Sequence, residues 1–160
     1  QVRELTKTLG HKPRGIRQHY LRFFHPRTFK LQIKAGLKYD TSLAFAEHEG
    51  YRNGYCYPFK PYDFALDQML DIWEIPLTMM EVTMLNYRQV ELDELKTSAF
   101  QLIVEARKFG GIFSLLWHNC RLDEYQYPGV ISFYNTLLES IVELSPTSIT
   151  GRRVVETLLD

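Results

Sequence analysis

Cysteine is scarce in this chain. Cys56 and Cys120 are the only two in 160 residues; they lack metal-ligand spacing and need not pair, so a cysteine-built metal cluster is excluded and the redox compartment is left undecided. An excess of one charge is also missing. Nineteen basic residues balance nineteen acidic ones, which excludes the chain-wide positive field of a typical nucleic-acid binder. No apolar run approaches the ~20 residues of a membrane helix, and Gln1-Val2-Arg3-Glu4 is not the start of a signal peptide. There is no low-complexity segment and no internal sequence repeat. No Gly-x-Ser-x-Gly elbow supports a serine hydrolase.

What is present is an ordinary globular composition, 45% apolar and 24% charged. A chain of this length fits one domain that buries about two thirds of its unfolded surface. Aromatics are abundant at 14%. That surplus suits stacking on apolar sugar faces and equally suits a thick core.

Val2, Leu5 and Leu9 recur at helical spacing with no capping residue before them, and Gly10 is a stop signal, as if a helix were entered partway. Alternation from Ile16 predicts a strand through Tyr20 that puts Arg17 and His19 on one face. Thr28–Ala35 reads as a short helix closed by Gly36, and Leu37–Tyr39 as a strand ending on Asp40. From Leu43 to Asp63 the Gly-, Pro- and Tyr-rich composition predicts a long loop, functional or pinned by its own aromatics. Ile72–Met80 reads as a buried strand with a bulge or an edge at Pro76. Glu91–Phe109 carries an apolar helical stripe stopped by Gly110-Gly111. Ile112–Trp117 is an apolar run that ends abruptly in His118-Asn119, a buried strand delivering an imidazole at its carboxyl end. Helices over Gly129–Leu144 and from a Thr150 cap complete the chain.

Helices alternating with strands predict an α/β fold with a mostly parallel sheet, part of a barrel or of an open wound sheet. In such folds the carboxyl ends of strands collect ligands and catalytic groups. Arg17, His19, Asp40, Arg52 and His118 all stand at or just beyond such ends. A carboxylate can hold the tautomer of a histidine for general acid work, and an arginine can hold a second carboxylate.

Four segments carry a family resemblance. Gly15-Ile16-Arg17-Gln18-His19-Tyr20-Leu21-Arg22-Phe23, Ala35-Gly36-Leu37-Lys38-Tyr39-Asp40-Thr41-Ser42-Leu43, Gly50-Tyr51-Arg52-Asn53-Gly54 and Leu115-Leu116-Trp117-His118-Asn119 resemble, in order, the polysaccharide deacetylases. These are the NodB-like proteins, or family 4 carbohydrate esterases; the nearest resemblance is to a bacterial branch with an Arg-Gln-His-Tyr-Leu-Arg variant. The resemblance runs from about Leu5 to Leu159. It implies part of a distorted (β/α) barrel and the metal-dependent removal of acetyl groups from N-acetylated sugars in a poly- or oligosaccharide. It implies that Arg17 orients a catalytic base, that the Tyr20 backbone N–H helps bind the oxyanion, and that Asp40 pairs with His118. His118 would be the general acid and Leu116 would line the acetyl pocket. Trp117, His19 and Arg52 are substrate-side candidates.

The family's first two motifs, an Asp pair and two His ligands at helical spacing, have no counterpart here: no Asp-Asp pair exists, and His11, His25 and His48 lack that spacing. The expectation is therefore that residues 1–160 form the carboxyl-terminal portion of one deacetylase domain. A divalent metal, zinc by preference, would belong to the full-length protein, with no ligand for it in this chain and the amino-terminal half as partner. The alternative expectation is a non-catalytic glycan-binding or structural barrel lacking the metal centre. Localisation is open between cytoplasm and cell envelope.

Overall fold

The computed structural model describes residues 1–159. The chain is mixed α/β, with short parallel strands and, among the described residues, no closed barrel. It divides into two compact units, one of Gln1–Leu43, Tyr57–Ile75 and the segment from Ile149, the other of Ala44–Cys56 and Pro76–Ser148. No helix among the described residues is long and apolar enough to cross a membrane.

The first unit opens with α1 (Val2–Leu9), whose end is set by Gly10 at φ 71°, where its N–H reaches the Thr6 carbonyl. Helix α2 (Arg27–Ala35) ends the same way on Gly36 at φ 78°. Three two-residue strands, β1 (Gly15–Ile16), β2 (Tyr39–Asp40) and β5 (Trp73–Glu74), pair in parallel in the order β1-β2-β5. The register sets Ile16 beside Asp40 and Asp40 beside Glu74. A hairpin of β3 (Tyr62–Asp63) and β4 (Gln68–Met69) stands apart from that sheet. The apolar centre is Phe29, Leu70 and Ile72, with Phe23 and Ile33 against it. Helix α5 (Gly151–Leu159) closes the unit, and Thr150 caps it by accepting the Arg153 N–H at 3.4 Å.

Glycine is required at Gly15 because the Tyr39 ring lies across it: an added Cβ would stand 2.0 Å from Cζ of Tyr39. Gly15→Ala should therefore cost about 1–3 kcal/mol, the usual penalty for overpacking. In chemical denaturation the loss should shrink in a Tyr39→Ala background. Equal losses in both backgrounds would show that the ring is not the obstacle.

In the second unit β6 (Met79–Met80) and β7 (Leu115–Leu116) pair in parallel. A π-helical segment, Thr83–Arg88, follows β6 and leads into α3 (Leu92–Lys108), and α4 (Val130–Glu143) follows β7. Helices α3 and α4 pack together over Met79, Met84, Leu95, Ala99, Ile103, Phe133 and Leu137, all buried. Burial of a side chain of this size stabilises by about 1.5–3 kcal/mol.

The helices fall where periodicity and glycine stops predict them, whereas the strands are shorter. The strand predicted through Tyr20 ends at Ile16. Beyond it the neighbouring side chains replace the ladder: Ser42 Oγ accepts the Gln18 N–H at 2.8 Å, and Thr41 accepts from Arg17. The strand predicted over Ile72–Met80 is split into β5 and β6, which belong to different sheets. The Ile75 N–H still reaches the Asp40 carbonyl at 2.9 Å, and Pro76 has no N–H with which to continue. The run Ile112–Trp117 is half-buried rather than buried, and only its centre pairs. The predicted loop from Leu43 holds, with β3 at its far end.

Candidate functional site

In the second unit the end of β7 carries His118. Its ring nitrogen Nδ1 lies 2.6 Å from Oε1 of Glu81, and its backbone N–H reaches the same oxygen at 3.1 Å. A carboxylate oxygen only accepts, so the Nδ1 proton belongs to the histidine and Nε2 is left without a protein partner. Glu81 is fully buried whereas the His118 side chain is 43% exposed. The pair is thus anchored inside and open at one nitrogen. Glu81 follows β6 directly, and the parallel register of β6 with β7 brings it to His118 across 37 residues of sequence.

Strand alternation sorts the rest of the Leu115–His118 segment. Leu115 and Trp117 face the α3–α4 core, where the Trp117 ring sits 5.9 Å from Phe133 and 4.8 Å from Tyr134. Leu116 has the opposite parity, that of His118. Trp117, predicted on the substrate side, is placed as a core residue, and Leu116 keeps a position from which it can line a pocket. Arg52 donates to the Ala44 carbonyl at 3.0 Å and pins its own loop. The same loop is held by Tyr51, whose hydroxyl donates to the Ile112 carbonyl at 2.7 Å, and by a Glu49–Arg88 ion pair.

In the first unit Arg17, Asp40 and Glu74 end three adjacent parallel strands. Arg17 Nε donates to the Thr41 hydroxyl at 2.7 Å and to the Thr41 carbonyl at 3.1 Å. Asp40 is fully buried; it accepts from Gln32 Nε2 at 2.5 Å, from the Ser42 N–H at 2.7 Å and from the Ser42 hydroxyl at 3.0 Å. Burial raises its pKa, and those donors oppose the rise. Glu74, also fully buried, is pushed up to about 9, first by burial and then by the Asp40 charge, while the Leu43 N–H and Arg17 pull the other way. Its Oε1 accepts the Leu43 N–H at 2.9 Å, whereas its Oε2 meets no protein donor. The raised pKa makes Glu74 the neutral member of the Asp40–Glu74 pair near neutral pH.

Tyr20 and Leu21 follow in a 3₁₀ turn, His19–Leu21, at φ 58° and 49°. Two successive non-glycine residues in the left-handed region cost about 1–3 kcal/mol each, a kind of strain that clusters at functional sites. The Tyr20 ring is 79% exposed and tilts against His19 with centroids 4.4 Å apart.

No family model, curated protein or solved structure matches this chain.

Among the described residues no three His, Cys, Asp or Glu side chains form a group that could hold a metal ion. The side chains of the two candidate clusters do not by themselves form a metal centre. They can hold and move a proton at His118 Nε2, and they can keep a buried proton on Glu74 beside Asp40. Glu81 and Glu74 are the two residues that motif reading passes over. The signal available for both was a carboxylate interrupting or closing the apolar run Ile72–Glu81.

Proposed function

We propose that this chain is the carboxyl-terminal portion of a polysaccharide deacetylase, a hydrolase that removes acetyl groups from N-acetylated sugars in a poly- or oligosaccharide. The observation that carries the reading is the His118–Glu81 pair at the end of β7. It sets an oriented imidazole, with one nitrogen free, at the position where the Leu-x-His motif expects the general acid. In this reading Glu81 holds the Nδ1 proton in place, and protonated His118 gives the proton on Nε2 to the departing amine. Leu116 lines the acetyl pocket, and the strained turn at Tyr20 offers its backbone N–H to the oxyanion. The order of motifs supports the same assignment: Arg17, Tyr20 and Asp40 in the first unit, Leu116 and His118 in the second. The distorted (β/α) barrel belongs to this proposal, as do the zinc ion, its ligands and the amino-terminal half of the domain, all placed outside this chain.

The test is acetate release from N-acetylchitooligosaccharides. Full-length protein should release acetate, lose activity to a chelator and regain it with zinc; the 160-residue chain should release none. Acetate release by the 160-residue chain alone would overturn the fragment reading. Saturable oligosaccharide binding by the full-length protein without acetate release would establish a non-catalytic glycan-binding domain instead.

A further inference from the structure

The first unit holds a second candidate site, at the opposite ends of its strands from Asp40 and Glu74. Lys12 and Arg14 come just before β1 and Lys38 just before β2; because these strands are parallel, all three gather at the amino ends. Arg152, in the first turn of α5, joins them around a cavity of about 280 Å³. That volume lies near the lower end of small-molecule sites, which run from ~300 to 1,000 Å³. Four cations line the cavity and no acid does, in a chain whose charges cancel overall.

These cations are only partly neutralised. Glu156 is shared among Arg152 at 2.9 Å, Arg153 at 3.4 Å and Arg14 at 3.7 Å. Asp71 stands 3.9 Å from Lys38. Among the described residues no carboxylate comes within ion-pair distance of Lys12. Its Nζ lies over Gly36, 2.2 Å from where a Cβ would stand, and the left-handed φ of Gly36 favours glycine there. A cation there also suits the carboxyl end of α2. That explains one lysine, but not the convergence of two lysines and two arginines. The cavity wall is the Tyr39 ring, set against Gly15 and Gly151, where added Cβ atoms would approach it to 2.0 Å and 2.7 Å.

We infer that this cavity binds a small ligand through a phosphate or diphosphate group, by means of Lys12, Arg14, Lys38 and Arg152. A phosphate carries close to two charges and several acceptor oxygens, which matches several converging donors better than a single carboxylate does. Arginine supplies the planar fork and lysine the compact point charge. The inference does not depend on the deacetylase reading, since the residues and the end of the sheet are different.

Titration of the whole 160-residue chain with inorganic pyrophosphate at low salt tests it by calorimetry. Saturable one-to-one binding is expected, weakening as salt rises. Lys12→Glu combined with Lys38→Glu should weaken it by roughly tenfold or more. Glu156→Gln, which releases the arginines, should tighten it. Lys96→Glu, a single such reversal on α3, should leave it unaltered. Lys12 and Lys38 are exposed and Glu156 and Lys96 half-buried, and far-ultraviolet circular dichroism checks that each variant retains the fold. Absence of saturable binding, or an equal loss in Lys96→Glu, would overturn the proposal. Vesicles containing phosphatidic acid separate the sources of the phosphate. Vesicle binding displaced by pyrophosphate assigns the group to a lipid headgroup, and pyrophosphate binding without vesicle binding assigns it to a soluble ligand.

Discussion

Glu74→Gln should remove most of the pH dependence of unfolding of the first unit between about pH 5 and pH 9. In the folded chain Glu74 holds its proton up to about pH 9, whereas an ordinary glutamate releases it near 4.5. Across that window the folded state binds the extra proton. Stability therefore falls as pH rises, and the contribution is fully present only below the unfolded pKa. The limiting slope for one such group is about 1.4 kcal/mol per pH unit. Asp40, whose pKa burial also raises, acts in the same direction. Glutamine reproduces the neutral acid: Oε1 can keep the Leu43 N–H, and Nε2 stands in for the protonated Oε2. The variant should match the parent near pH 5 and exceed it by on the order of a few kcal/mol at pH 9. Trp73, beside Glu74, reports on this unit in a Trp117→Phe background, so urea unfolding followed by fluorescence at pH 5, 7 and 9 is the measurement. Parallel pH curves for parent and variant would show that Glu74 is ionised in the folded chain.

On the deacetylase proposal, the second large effect is expected at His118 in the complete enzyme. Loss of a positioned proton donor typically costs 10²–10⁴-fold in rate, so His118→Ala should lower kcat on that scale and leave KM nearly unchanged. Glu81→Ala should also act on kcat, because the ring loses the acceptor at 2.6 Å that fixes its tautomer. Glu81→Gln leaves an oxygen for the Nδ1 proton without the charge and should recover part of the loss, by roughly tenfold, with an altered pH profile of kcat. A merely structural glutamate predicts something else: lower stability in both Glu81 variants, with kcat per folded molecule and its pH profile unchanged. Stability and kinetics measured on the same samples separate the two.

The helices were legible because their signals are local. An apolar stripe followed by glycine predicts α3 over Glu91–Phe109, and it runs Leu92–Lys108. The strands were not, because an apolar run reports burial rather than pairing. Where pairing ends was decided by Thr41, Ser42 and Pro76, whose hydroxyls or missing N–H redirect the ladder. The β3–β4 hairpin and the π-helical turn after Glu81 had no sequence signature. The candidate site was half legible: His118 stood out as a polar stop to an apolar run. Its carboxylate did not, because the β6–β7 register that delivers Glu81 is a long-range choice that no local pattern encodes. Motif order nominates Asp40 for His118; the carboxylate found on Nδ1 is Glu81, and Asp40 is held by Gln32 and Ser42.

The interrupted path of the first unit bears on how the chain acquires its structure. In sequence its three segments alternate with Ala44–Cys56 and Pro76–Ser148, and its Tyr39 ring rests on Gly151 of the last helix. During synthesis, residues Pro76–Ser148 therefore leave the ribosome before the helix that closes over Tyr39 exists. Contacts so distant in sequence are slow to form. The second unit can complete its packing first, while β1, β2 and β5 wait with one side uncovered, and that waiting stage is the point at which a newly made chain is most exposed to aggregation.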